Sequence, residues 1–249
     1  RFVYLGVSRK KEVMGKNIIM NMKKEKNMKT AVIVGATGNL GSAIVKVLEE
    51  AGYQIDPVWN SPDHPDATKA SSYKNLPDTI DLAVYAPGLN IVKNTELLTE
   101  EEWDNVMNVN LKGAFLFAQA AFPAMKKSGN ATFVAISSIM VTHPYPYRVA
   151  YTASKAALEG LTRTLAVEWG QYGIRAQSIR LGHLSGLMKT TKTNPQLLEA
   201  VKKNTPEGYL IPASDVASYV LWLAEGGSKA VNGGVIDFDP AYTINRWPL

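Results

Sequence analysis

From residue 29 onward the apolar positions of the chain alternate between two periods. "TAVIVGA" (30–36) is a continuous apolar run bounded by glycine, which predicts a strand buried on both faces. In "NLGSAIVKVLEEAGY" the apolar residues Leu40, Ile44, Val47 and Leu48 share one face of a helix, and Gly52 stands where a C-terminal cap would. "QIDPVW" (54–59) predicts a weaker strand, because Pro57 suits only an edge or a distorted position. The segment 60–79 is rich in Pro, Ser, Asp and Asn and predicts little beyond a short strand near "HPDAT" (64–68).

Further strands are predicted at 80–88, 131–138, 174–182 and 233–238. Between them lie helices at 99–129, from Tyr151 to about Tyr172, and at 213–227. Thr99 is a candidate N-cap, Glu100 to Glu102 suit the positive end of that helix, and Lys126 and Lys127 suit its negative end. Strands and helices alternate without a break in composition or an internal repeat. That order predicts a single α/β domain: a Rossmann-type, doubly wound parallel sheet in a three-layer αβα arrangement. Ligands of such sheets bind beyond the carboxyl ends of the strands, at the point where the strand order reverses.

Composition changes this picture little. The 249 residues suit one domain, and 46% apolar residues suit a full core. The absence of cysteine excludes disulfides, thiolate metal sites and a cysteine nucleophile, and is compatible with a cytoplasmic location. The net charge of +5 is carried by residues 1–27, which hold eight Lys/Arg and two Asp/Glu; residues 28–249 hold 19 and 20. The basic arm is expected to be a disordered extension, with the domain spanning 28–249 and opening at "MKTAVIVGATG". A transit peptide or a polybasic contact with membrane or nucleic acid is the alternative for the arm. The folded part, near neutral, points to neither partner, and no run of 18 apolar residues exists to span a membrane.

Two motifs carry chemistry. "GATGNLG" places Gly35, Gly38 and Gly41 between the first strand and the first helix. Glycines there permit a tight turn and close approach of a bound group, and free N–H groups at the helix start favour a dinucleotide pyrophosphate. An acid at the end of the next strand would hold ribose hydroxyls; Trp59, Asn60 and Ser61 stand there instead, which leans toward NADP(H) over NAD(H). The second motif is "YTASK". Tyr151 and Lys155 are four apart on a helix and share a face. A free phenol, with pKa ~10, is a poor acid or base at neutral pH, and a neighbouring ammonium lowers that value.

The glycine loop, "NVNLKG", "AISS" and "YTASK", in this order and spacing, resemble the short-chain dehydrogenase/reductase family over residues 29–239. The resemblance implies interconversion of a carbonyl and an alcohol by hydride transfer with NAD(P). It makes Tyr151 the general acid/base, Lys155 the residue that binds the nicotinamide ribose, Ser138 the group that orients the substrate carbonyl, and Asn110 a holder of a relay water. Ser137, one position off, would face the other way along a strand. It further implies cofactor contacts from Gly35, Thr37, Gly38, Asn39, Leu40 and Gly41, from Trp59, Asn60 and Ser61, and from Ala86, Pro87, Gly88 and Gly182. Asp66 would lie near the adenine. His143 and His183 are candidate substrate contacts; with His64 the histidines are scattered and form no metal pattern. A loop from Gly182 to about Tyr209 would border a small-molecule substrate, with Leu184, Leu187 and Met188 as apolar lining and Lys189 and Lys192 facing any anionic tail. The family forms homodimers and homotetramers, and the apolar faces of the helices at 99–129 and 150–172 offer the surface for one.

Several positions depart from the family pattern. Asn39 stands where a second glycine is usual, Leu181 replaces the proline before Gly182, and Tyr85 and Ala86 replace the paired asparagines of the run that is here "YAPG". The stretch between the second and fourth expected strands is short, so the usual helix there is expected to be reduced or missing. An epimerase or dehydratase of the same fold would carry the same Ser138, Tyr151, Lys155 and Asn110; a non-catalytic dinucleotide sensor is the third alternative, and the complete set of four argues against it.

Overall fold

A computed structural model describes residues 28–56, 59, 61, 63, 65–186, 195–227 and 229–245. The basic arm, Asn60, His64 and the expected pocket residues Leu187, Met188, Lys189 and Lys192 lie outside them.

Six strands are described: β1 (Thr30–Val34), β2 (Gln54–Ile55), β3 (Leu82–Tyr85), β4 (Thr132–Ser138), β5 (Arg175–Leu181) and β6 (Val235–Phe238). They form one parallel sheet in the order β2-β1-β3-β4-β5-β6. β3 and β4 are buried throughout, which explains their unbroken apolar runs. Side chains alternate between two cores. Phe133 and Ala135 of β4 join Val32, Tyr85, Phe117 and Leu158 on one face, while Val134 and Ile136 join Ile33, Ile44, Leu48 and Val220 on the other.

Six α-helices flank the sheet among the described residues: α1 (Asn39–Glu50), α2 (Glu100–Met107), α3 (Gly113–Ser128), α4 (Val149–Trp169), α5 (Pro195–Asn204) and α6 (Ala213–Ala224). α1 and α6 cover the face with Ile33, and α3 and α4 cover the other. The expected layers are therefore present.

Three expectations need correction. β2 is only two residues long, so Trp59 lies beyond it. The strand near 64–68 is a turn at its described residues: Asp66 Oδ1 accepts from the N–H and hydroxyl of Thr68 at 2.9 and 2.8 Å, which bends the chain away from extended geometry. Among the described residues of this connection, a 3₁₀ turn, Ala70–Tyr73, is the one helical piece where the crossover helix is usual. Finally, the stretch read as an irregular substrate loop contains α5.

The long helix expected at 99–129 begins with a capping box between Thr99 and Glu102 and ends at Gly129, which adopts φ 70°. It is interrupted by one π turn, Asn108–Lys112. Such a turn inserts a residue and frees a carbonyl from the regular ladder. Here the carbonyl of Val109 accepts from the Tyr85 hydroxyl at 2.5 Å. A Cβ on Gly113 would come within 2.2 Å of that hydroxyl and 2.9 Å of the Ala67 carbonyl. Overpacking of this kind costs roughly 1–3 kcal/mol. Gly113→Ala is therefore expected to lower stability by about that amount in urea unfolding, and adding Tyr85→Phe is expected to recover part of it.

Candidate active site

The strand order reverses between β1 and β3, and the glycine loop leaves β1 at this point. Gly35 takes φ 87°. A Cβ on Gly41 would lie 2.0 Å from the Gly35 carbonyl oxygen, so the turn is too tight for any side chain there. No side chain caps α1, and its first turn carries no acid. Its opening N–H groups have no partner within the helix, and the positive end of the dipole is uncompensated. Thr37 is exposed beside them, and Leu40 turns into the core. This donor set fits an anionic pyrophosphate. Asn39, where the family pattern has glycine, donates from Nδ2 to the Ser185 carbonyl at 3.0 Å and so ties the start of α1 to the segment after β5.

The run after β3 meets both motifs. The Ala86 N–H donates to the Val34 carbonyl at 3.0 Å. A Cβ on Gly35 would stand 3.3 Å from the Pro87 nitrogen, and one on Gly88 would stand 3.6 Å from Lys155 Nζ. Gly35, Pro87, Gly88 and Lys155 thus line one crevice.

Lys155 is 2% exposed. Its Nζ donates to the carbonyls of Ile136 at 2.7 Å and Pro87 at 3.3 Å. Burial pulls its pKa down to about 8. Asn110, fully buried in the π turn, donates to the Leu89 carbonyl and to Ser154 Oγ, both at 2.9 Å, and accepts from the Leu89 N–H at 2.7 Å. Ser154 in turn donates to the Tyr151 carbonyl at 2.7 Å. Both amide hydrogens of Asn110 are therefore spent on joining the run after β3 to α4.

Ser138 closes β4. Its Oγ accepts from the Met140 N–H at 3.2 Å and lies close enough to the Tyr151 phenol to favour its ionised form. Ser137 points the other way, donating to Glu159 Oε1 at 2.9 Å. Burial raises the Tyr151 pKa, and Ser138 and the Arg148 guanidinium offset part of that rise. Lys155, expected to be the main offset, is not among these groups; its Nζ lies 5.8 Å from the Tyr151 ring centroid. Arg148 is three residues before Tyr151, at the head of α4; its Nη1 donates to the Pro146 carbonyl at 3.1 Å.

Glu159 fastens α4 to the sheet. It is 1% exposed and takes a two-pronged contact from Arg180 of β5, at 2.7 and 2.8 Å, beside the bond from Ser137. Breaking such a buried pair from one side costs about 3–5 kcal/mol.

Other expected residues lie elsewhere. Trp59 is a core residue, 1% exposed and stacked on Tyr73 with ring centroids 5.0 Å apart, so its indole serves packing and not the ribose contact expected of it. Ser61 Oγ accepts from the Asp63 N–H. Asp66 is exposed in its turn; burial raises the Tyr85 pKa, and the nearby Asp66 carboxylate adds to that rise. Gly182 packs closely on Asp239 and Ile211. His143 is exposed; its Nδ1 lies 3.2 Å from Thr142 Oγ1, and its backbone N–H donates to the Ile139 carbonyl at 2.9 Å. His183 is buried and contacts the hydroxyl of Tyr145 at 2.9 Å. No cluster of three or more His, Cys, Asp or Glu side chains suited to a metal occurs among the described residues, and none of their helices is long and apolar enough to cross a membrane. Arg148, Tyr145 and Glu159 were missed by sequence reasoning. The position of Arg148 so close to Tyr151 was the one available signal.

Fold and crevice are those of a nucleotide-binding oxidoreductase. The family profile described as enoyl-(acyl carrier protein) reductase matches residues 59–243. A D-beta-hydroxybutyrate dehydrogenase of Rhizobium meliloti is 30% identical over 86% of this chain and 98% of its own. An NAD-dependent glycerol dehydrogenase of Listeria innocua is 29% identical over 87% and 94%. The crystal structure of a putative gluconate dehydrogenase from Agrobacterium tumefaciens superposes with a TM-score of 0.77 at 25% identity, covering 87% of this chain and 96% of that one. The chain belongs to the short-chain dehydrogenase/reductase family, whose members bind NAD(P), and is an oxidoreductase of the class acting on CH–OH groups.

The low pKa of Lys155 predicts a pH dependence. A base whose folded pKa lies below its unfolded value binds fewer protons when folded, so stability rises with pH between the two values. Relative to Lys155→Met, the cofactor-free protein is expected to gain up to about 3 kcal/mol of stability between pH 8 and 10.5, read by denaturant unfolding at each pH.

Proposed function

We propose that the protein interconverts a carbonyl and an alcohol with Tyr151 as general acid/base. The observation carrying this reading is the placing of the Tyr151 phenol beside the Ser138 hydroxyl at the carboxyl end of β4, close enough for the hydroxyl to favour the phenolate, one helical turn from the buried Lys155. A bound nicotinamide would supply or accept the hydride. Ser138 orients the substrate oxygen, and Tyr151 gives a proton to that oxygen in reduction or takes it in oxidation. Lys155 donates to the nicotinamide ribose, whose hydroxyls favour the charged form of its amine. Asn110 holds the run after β3 and α4 together, with one acceptor lone pair on Oδ1 left for a relay water.

The opening N–H groups of α1, with Gly35, Thr37, Gly38, Asn39, Leu40 and Gly41, hold the pyrophosphate. Ala86, Pro87 and Gly88 flank the ribose, Asp66 lies on the adenine side, and Gly182 borders the nicotinamide. The reading favours NADP(H): Asp56, just after β2, is buried and accepts from the Trp59 N–H at 3.2 Å, so past β2 the described chain presents no exposed carboxylate before Asp63. A homo-oligomer is part of the proposal. Phe117, Leu158 and Trp169 of the expected faces are buried against the sheet, whereas Phe115 and Val167 remain exposed on α3 and α4.

Tyr151→Phe is expected to reduce turnover of a carbonyl panel by roughly 10²–10⁴-fold while NADPH binding, followed by fluorescence, is retained. Unchanged turnover would remove Tyr151 from the mechanism, and binding without NAD(P)H consumption in the wild type would favour an epimerase, a dehydratase or a sensor. Arg148→Met removes a charge that favours the phenolate. It is expected to shift the Tyr151-dependent limb of the pH–rate profile to higher pH in either direction of reaction.

A further inference from the structure

His183 stands two residues beyond Leu181, which pairs with Ser138 in the β4–β5 register, so it lies at the same end of the sheet as the proposed catalytic residues. It is 6% exposed. Its ring lies between two tyrosines from distant segments. Tyr145 comes from the loop joining Ser138 to Tyr151 and stacks on it at 6.0 Å, and Tyr242, from the turn after β6, meets it edge-on at 4.9 Å. The hydroxyls of Tyr145 and Tyr242 are hydrogen-bonded at 2.8 Å, and Tyr145 Oη also meets His183 Nε2 at 2.9 Å. Nε2 is thereby taken up in either tautomer, and Nδ1 is the nitrogen left over. It is buried and has no hydrogen-bond partner. Burial also disfavours the imidazolium, so proton uptake does not relieve it. An orphan buried polar atom of this kind is costly to leave unpaired, and a ligand hydroxyl, which both donates and accepts, satisfies it.

We propose that the Tyr145–His183–Tyr242 cluster is a polar wall of the substrate cleft, in which His183 Nδ1 pairs with a substrate hydroxyl other than the one undergoing oxidation. The substrate class is then polyhydroxylated, a polyol or its keto form, and not a simple alcohol. This rests on the carbonyl–alcohol reading above. The two tyrosines act through His183 as positioning residues: they occupy Nε2 and hold the ring plane.

The test compares threitol with butane-2,3-diol, which keeps the internal diol and lacks the two terminal hydroxyls, on the full chain with NAD(P). The wild type is expected to favour threitol. His183→Leu is expected to raise KM for threitol about tenfold to a hundredfold, leaving kcat and the butane-2,3-diol constants little changed. His183→Asn, which keeps an acceptor, is expected to restore part of the loss. A turnover-independent readout uses Tyr151→Phe with cofactor bound and ¹⁵N-labelled histidine: threitol is expected to move the Nδ1 resonance of His183, and butane-2,3-diol to leave it in place. Equal losses on both substrates in His183→Leu, no wild-type preference for threitol, or an unmoved resonance overturns the proposal. A protein that reduces simple ketones but ignores threitol refutes this inference alone; one that turns over no alcohol or ketone refutes the underlying reading as well.

Discussion

A lysine side chain buried at the carboxyl edge of a parallel sheet is the constraint around which this site is organised. Lys155 is buried, and its Nζ donates to the carbonyls of Ile136 and Pro87. One belongs to a central strand and the other to the run after β3, so a single amine joins β4, that run and α4. Asn110 makes a second tie between the run and α4 through Leu89 and Ser154, and Glu159 anchors α4 to β5 through Arg180. Tyr151 and Ser138 are brought together because the elements carrying them are fixed in this way.

The same burial lowers the lysine's own pKa to about 8. In the cofactor-free protein, Ser138 and Arg148 are the groups that favour the Tyr151 phenolate. Spacing on a helix established that tyrosine and lysine share a face, but not which charge the tyrosine senses, because that depends on desolvation of each partner.

The departures from the family pattern have local physical causes where the structure describes them. Tyr85, in place of an asparagine, reaches the carbonyl that the π turn frees at Val109, and the absence of a side chain at Gly113 leaves room for its ring. Asn39, in place of a glycine, holds the Ser185 carbonyl and so links the start of α1 to the substrate side. Both changes exchange a small or polar residue for a specific tie between segments. In each case the partner lies more than 20 residues away.

The alternation of apolar periods was enough to determine the parallel sheet, the two covering layers and the glycine turn at the head of α1, because these depend on local period, burial and tight-turn stereochemistry. Residue order and spacing likewise placed Ser138, Tyr151, Lys155 and Asn110 among the site candidates. Tertiary structure alone decided the rest. The weak strand near 64–68 gave way to an Asx turn, since a side-chain acceptor two residues before a free N–H competes with extended pairing. Trp59 went to the core because Tyr73 supplied a stacking partner. α5 formed within a stretch whose mixed polarity hid its period. The cluster of His183 with Tyr145 and Tyr242 joins residues 38 and 59 positions from the histidine in either direction. No local pattern encodes such contacts, because they exist only once the strands have set which loops meet at their ends.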